Sequence, residues 1–155
     1  YAGLMLTESG PKVLEFNARF GDPETQPLLM RLQSDLIPLC EAALDGRLNT
    51  VDAQWDNRAA VGVVLAAGGY PEAYRKGDVI TGFDGIDSDD CKIFHAGTAL
   101  QDNQVVTAGG RVLCVTALGN TVAEAQDRAY KMIVSVNWKD MYYRTDIGYR
   151  AIARQ

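Results

Sequence analysis

Between Glu15 and Gln26 the chain reads Glu-Phe-Asn-Ala-Arg-Phe-Gly-Asp-Pro-Glu-Thr-Gln, which crowds acids, an arginine and an amide into one short stretch. If the stretch opens on a strand, alternation puts Glu15 and Asn17 on one face and Phe16 on the other, so two oxygen-bearing side chains project together. Hard oxygen donors of this kind suit Mg²⁺, which takes one or two protein ligands and completes its shell with water and substrate phosphate. Arg19 and Asp22 follow in the loop after that strand end. Core burial does not account for this set of residues. A plainer reading of the same residues stays open: Glu15 and Asn17 on a solvated strand face, Arg19 paired with Asp22 or Glu24, and Asp22 capping a helix. A Glu-x-Asn pattern alone is common.

The elements that must position these groups are legible around them. Residues 1–6 and 12–17 read as two short strands joined by Glu8-Ser9-Gly10-Pro11, hence a hairpin whose second strand delivers the loop. Asp22 before Pro23 resembles a helix start, with Thr25 as a later alternative because of Pro27. A clearer helix covers 35–45, capped by Ser34 or Asp35 and ended by Gly46. The polar stretch 49–57 marks a junction, so two units are expected, 1–50 and 51–155.

In the second unit, Ala59–Ala67 is an apolar run rich in valine, read as a strand covered on both faces, and Gly68-Gly69-Tyr70-Pro71 ends it in a turn. Weaker strands are expected at 79–83, 92–96 and 104–107, and a strong one at 111–118, entered by a tight hairpin through Ala108-Gly109-Gly110. Thr121-Val122-Ala123-Glu124 has capping-box spacing, and Val122, Ala125, Ala129, Met132, Ile133 and Val136 recur at helical intervals, so a long amphipathic helix follows. Trp138, Tyr142, Tyr143 and Tyr149 are expected to pack back on the sheet. The fold class is therefore mixed α/β.

Net charge is -5 and the isoelectric point near 4.8, which offers no clustered positive charge for nucleic acid or an anionic membrane. Small-molecule partners fit better. Cys40, Cys91 and Cys114 lie far apart, with His95 as the lone histidine, so neither a disulfide framework nor a zinc site is indicated and a cytoplasmic setting is expected. No apolar run approaches the roughly 18 residues of a spanning helix. The opening at Tyr1, straight into an apolar segment, leads us to expect a piece of a longer chain.

The string RFGDPETQ, preceded by EFN and the YAGLM strand, resembles the glycinamide ribonucleotide synthetase family of the ATP-grasp superfamily. The resemblance continues through AAGGYP, FHAGT, VVTAGGRVLCVTALG, TVAEAQ and DIGYRAI, and so covers essentially the whole sequence. It implies the closing part of an ATP-grasp domain followed by a small barrel-sandwich-like sheet-plus-helix domain. It also implies ATP-dependent ligation of glycine to 5-phosphoribosylamine through a glycyl phosphate, giving glycinamide ribonucleotide, ADP and phosphate in purine biosynthesis. On that basis Glu15 and Asn17 would ligate Mg²⁺ or Mn²⁺ between ATP phosphates, Arg19 would be catalytic and hold the phosphate or acyl phosphate, and Asp22 would orient the amine. Arg111, after two glycines, resembles the place where related ATP-grasp enzymes bring a basic group to the substrate phosphate.

The sequence departs from many ATP-grasp enzymes in one respect: residues 1–6 carry no acid one strand earlier, so the metal shell is lean. The adenine-binding residues and phosphate-reaching lysines are expected in N-terminal domains of the same enzyme, and the piece alone is expected to be inactive. His95 is read as a structural hydrogen-bonding residue, with a surface Arg as the plain alternative for Arg111. Two other functions remain: a non-catalytic binding or scaffolding module, and an ATP-grasp ligase for a different carboxylate or amine.

Overall fold

The computed structural model describes residues 1–154. Strands β1 (Ala2–Thr7) and β2 (Gly10–Phe16) form the expected hairpin, with a shift of register between Gly3 and Leu4. Its turn closes because Gly10 takes φ 98°, a conformation that side chains with a Cβ resist, and because Thr7 Oγ1 donates to the Gly10 carbonyl at 2.7 Å. Leu4, Leu6, Val13, Leu14 and Phe16 are all more than half exposed, so apolar side chains stand in solvent on both faces of this ribbon.

Helix α1 (Thr25–Arg31) starts later than Asp22 would dictate. Asp22 caps nothing: it is used elsewhere, and the first turn is tied down by Thr25, whose hydroxyl and amide both donate to the Gly21 carbonyl. Helix α2 (Leu36–Leu44) is capped by Asp35, whose carboxylate accepts from the Ile37 amide at 2.9 Å, and ends at Gly46 with φ 67°. Of its apolar residues only Ala42 is buried.

Beyond a 3₁₀ turn at Leu48–Thr50, β3 (Ala59–Ala66) begins the main sheet. It pairs antiparallel with β7 (Arg111–Gly119), which pairs on its other side with β4 (Cys91–His95). In sequence between β4 and β7 come β5 (Thr98–Gln101) and β6 (Gln104–Thr107), a separate hairpin turning through Asp102 and Asn103 at φ 50° and 59°, as a two-residue turn with both central residues left-handed requires. Two expectations fail here. Residues 79–83 form only isolated bridges, Val79 to Val106 and Thr81 to Asn137. Ala108-Gly109-Gly110 is no hairpin turn, because β6 has already paired with β5. It is instead a crossing point at which a Cβ on Gly97 would stand 2.7 Å from the Gly109 Cα.

Helix α3 (Val122–Ile133) lies across one face of the main sheet. Thr121 accepts from the Glu124 amide at 3.1 Å, and Glu124 reaches back to the Asn120 amide at 2.8 Å, close to the capping box expected. Ala125, Ala129 and Ile133 join Val63, Leu65, Leu113 and Val115, all sealed from solvent, and each large aliphatic side chain so buried contributes roughly 1.5–3 kcal/mol. The other face is covered in part by α1, with Pro27 Cδ packed near Gly62. Further along β3 that face is open, so the strand is not covered on both sides throughout.

A chain of ion pairs ties the sheet's near end together. Asp56 grips Arg58, Arg58 reaches Asp90 at 2.6 Å, Asp90 accepts from Arg128 at 3.0 Å, and Arg128 pairs with Glu124 at 2.6 Å. After α3, Trp138 is buried as expected and Tyr143 packs partly on the core, but Tyr142 and Tyr149 stay about half exposed, Tyr142 bordering an open cleft. A last short helix, α4, spans Tyr149–Ile152. Among the described residues no helix is long and apolar enough to cross a membrane. The mixed α/β class holds, as small antiparallel sheets backed by helices.

Candidate functional site

Glu15 sits near the end of β2 opposite Gly3, where a Cβ would stand 3.1 Å from Glu15 Cγ. The exposed Glu15 carboxylate accepts from the Tyr1 hydroxyl at 3.0 Å; that bond to a charged acceptor pushes the Tyr1 phenol above its ordinary pKa. Asn17 follows just past the strand, where its main-chain N–H donates to the Tyr1 carbonyl at 2.8 Å. Its side chain borders an open depression of about 310 Å³ shared with Tyr1, Ala18, Arg19 and Phe20. Among the described residues no group of three or more His, Cys, Asp or Glu side chains converges as a self-sufficient metal cage.

Arg19 is exposed, and its Nη1 donates to the neighbouring Phe20 carbonyl at 3.0 Å. It makes no ion pair among the described residues, so the plain reading in which it pairs with Asp22 or Glu24 is excluded. Asp22 is held by Arg111 instead. Arg111 Nη2 donates to the Asp22 carboxylate at 2.9 Å and Nη1 to its carbonyl at 3.2 Å, across 89 positions of sequence. Two residues singled out for substrate contact thus meet at the start of β7.

Arg111, with Pro23 next to Asp22, borders a cleft of about 370 Å³. Its floor is the open face of β3 at Gly62, Val64 and Ala66, and Tyr70, Tyr142 and Arg144 also line it. Tyr142 is fixed by two main-chain hydrogen bonds to Ala66, at 2.7 and 3.0 Å. Gly110 must lack a side chain, since a Cβ would collide with the Tyr70 ring. Gly68-Gly69-Tyr70-Pro71 is a turn, as expected, and contributes Tyr70 as a wall. His95 does not line the cleft; its Nδ1 lies 3.1 Å from Thr98 Oγ1, and its ring meets Phe83 edge-on at 5.4 Å.

Sequence reasoning missed Tyr142 and Arg144 as cleft residues and missed the Asp56–Arg58–Asp90–Arg128 chain. Arg144 and Asp146 are two apart and their pairing was open to inspection, but nothing local says which groove they border. In the ion-pair chain, the Arg58 and Arg128 guanidinium groups flank Asp90 and hold it below its ordinary pKa, while hydrogen bonds from Arg58 bring Asp56 down to about 2.

Comparison with known proteins connects both halves of this geometry. Residues 60–150 match the family described as the phosphoribosylglycinamide synthetase C domain, and residues 1–25 match the ATP-grasp (A) domain of phosphoribosylglycinamide synthetase. The chain is similar to phosphoribosylamine–glycine ligases of Vibrio parahaemolyticus (60% identity), Vibrio cholerae (62%) and Escherichia coli O157:H7 (60%), in each case over all of this chain. It spans 36–37% of the length of those relatives. The crystal structure of phosphoribosylamine–glycine ligase from Thermotoga maritima superposes with a TM-score of 0.73 at 38% identity, covering 94% of this chain and 36% of that one.

Proposed function

Because the chain belongs to the phosphoribosylglycinamide synthetase family, we propose that it is part of an enzyme joining glycine to 5-phosphoribosylamine at the expense of ATP. In the first step a glycine carboxylate oxygen takes the terminal phosphoryl group of ATP, releasing ADP and forming glycyl phosphate. In the second, the sugar amine attacks the acyl carbon, the carbon–oxygen bond to phosphate breaks, and a carbon–nitrogen bond forms with loss of a proton. Phosphate leaves with the electron pair.

The roles follow from what each side chain can offer. Glu15 and Asn17 supply one carboxylate and one amide oxygen, a donor pair suited to Mg²⁺ or Mn²⁺ that keeps positions for water and phosphate. Such an ion, when bound, offsets negative charge on the nucleotide phosphates. Arg19, which pairs with no carboxylate among the described residues, would fork onto the acyl phosphate. Asp22 would accept a hydrogen bond from the sugar amine and so aim its lone pair, while Arg111 takes the sugar's phosphate.

The observation that carries this reading is the Asp22–Arg111 pair, which brings the residues after β2 to the edge of a cleft in the second unit. Both side chains are substantially exposed, so each keeps an edge that a ligand can reach while the pair stays formed. We divide the units at 50/51, inside the gap between the two matched segments. The apolar hairpin β1–β2 would be covered by N-terminal domains of the full-length enzyme, since an isolated two-stranded ribbon is marginal in water. Those domains would also supply adenine and phosphate contacts, so residues 1–155 alone would be inactive. Free cysteines accord with a reducing cytoplasm.

The test is ADP release by the full-length protein with Mg²⁺ and ATP. Release that requires both glycine and phosphoribosylamine supports the reading; none with the pair, or equal release with another amino acid, overturns it.

A further inference from the structure

Arg111 is not the only cation bordering the cleft on β3. Arg144 lines it as well, held by Asp146 through Nε at 2.9 Å and Nη2 at 2.8 Å. That grip occupies one edge of the guanidinium and leaves Nη1. Arg111, in turn, engages Asp22 through Nη1 and Nη2 and leaves Nε. A guanidinium carries five N–H donors, so each arginine can take an anion's oxygen without releasing its own carboxylate. The carboxylates then serve to hold the two forks in place, which lessens the ordering each must undergo when a ligand arrives.

The surroundings limit what that ligand can be. The cleft floor is Gly62, Val64 and Ala66, small or apolar, with the exposed Tyr142 pinned beside it by its main-chain bonds to Ala66. Such a floor suits the carbon face of a small ring and offers no charge to bind a second anionic group. A cleft of about 370 Å³ accommodates a compact molecule and not an extended polymer. Arg144 also sits on the segment after α3, whereas Arg111 starts β7, so two separate stretches of the second unit border one cleft.

We propose that Arg144 is a second phosphate-binding residue of this cleft, sharing with Arg111 the phosphomonoester of a sugar whose carbon face lies on Gly62, Val64 and Ala66. The identity of that sugar as the amine substrate rests on the ligase reading; the phosphate chemistry rests on the two arginines.

The experiment uses the full-length protein and its Arg144→Gln and Arg144→Lys variants, with two independent readouts. One is calorimetric binding of ribose 5-phosphate against ribose. The other is the set of apparent KM values for phosphoribosylamine, ATP and glycine. Arg144→Gln is expected to weaken ribose 5-phosphate binding about tenfold or more and to raise the phosphoribosylamine KM by a similar factor, the loss of one charge-assisted contact. The KM values for ATP and glycine should move less than about twofold, and Arg144→Lys should recover part of the phosphate affinity, since it restores charge without the fork. The proposal is overturned if Arg144→Gln binds ribose 5-phosphate like the parent, if ribose binds as tightly as its phosphate, or if all three KM values rise together with a lowered unfolding midpoint. A parent enzyme that binds ribose 5-phosphate through Arg144 yet consumes no ATP with glycine and phosphoribosylamine would defeat the ligase reading and leave the phosphate site standing.

Discussion

Replacing Arg111 by alanine separates a structural role for the Asp22 pair from a substrate role, because the two predict effects of different size in different assays. The side chains of Arg111 and Asp22 are 39% and 55% exposed, so solvent and salt screen their attraction. A pair of that kind is worth about 0.2–1 kcal/mol, and the loss in stability should stay within that range. A phosphate contact is a different matter: a hydrogen bond to a charged group contributes about 1.5–3 kcal/mol, which at 1.4 kcal/mol per decade is roughly a 10- to 100-fold change. In the full-length enzyme, Arg111→Ala is therefore expected to raise the apparent KM for phosphoribosylamine by that factor with little change for ATP. Urea unfolding of the same preparation should show nearly the parent midpoint. A stability loss beyond about 3 kcal/mol with unaltered KM would refute the reasoning, because it would make the pair a buried structural contact, contrary to its exposure. Equal rises in the KM for ATP and for phosphoribosylamine would also speak against a phosphate contact.

Glu15→Gln removes a charge from the proposed metal pair while keeping shape, and turnover should fall by about 100-fold or more with stability changed by less than about 1 kcal/mol, since the side chain is exposed; unchanged turnover with the parent's Mg²⁺ dependence would remove Glu15 from the site. Asp56, held at about 2 in the folded state against an ordinary 3.8, contributes stability that is complete above the higher value and is lost as pH falls through the lower. Asp56→Asn should therefore melt below the parent at neutral pH, and the gap should narrow on acidification from about pH 4 to about pH 2. A gap that stays constant through that window would show that Asp56 does not act through its charge. Gly97→Ala puts a Cβ 2.6 Å from the Arg111 carbonyl and 2.7 Å from the Gly109 Cα, main-chain atoms with little room to yield. A loss of about 1–3 kcal/mol is expected in denaturant unfolding, together with weaker phosphate-substrate binding because Arg111 would shift.

What could be read from residues alone was whatever is decided within one or two turns of chain. The valine-rich run at 59–67, the apolar run at 111–118 and the helix after Thr121 were all legible and fold as Ala59–Ala66, Arg111–Gly119 and Val122–Ile133, because an apolar run, helical spacing and a cap residue act over a few positions. The motif EFN-ARFGD likewise singled out Glu15, Asn17, Arg19 and Asp22 by the density of charge that no core would explain. Pairing was not legible. The glycines before Arg111 suit a tight hairpin, yet β5 took β6 as its partner, and those glycines became a close crossing with Gly97. Asp22 resembles a helix cap when only its neighbours are considered, but a carboxylate will go to the strongest donor within reach, and folding brought Arg111 there from 89 residues away. Tyr142 resembles core by composition; its main chain pairs with Ala66 at the edge of β3, which leaves the ring lining a groove. Local sequence thus determined which segments are strands and helices and which side chains are chemically capable. The tertiary structure alone decided which of those side chains meet, because a long-range ion pair or cleft wall depends on the relative placement of whole elements, on which no short window of sequence bears.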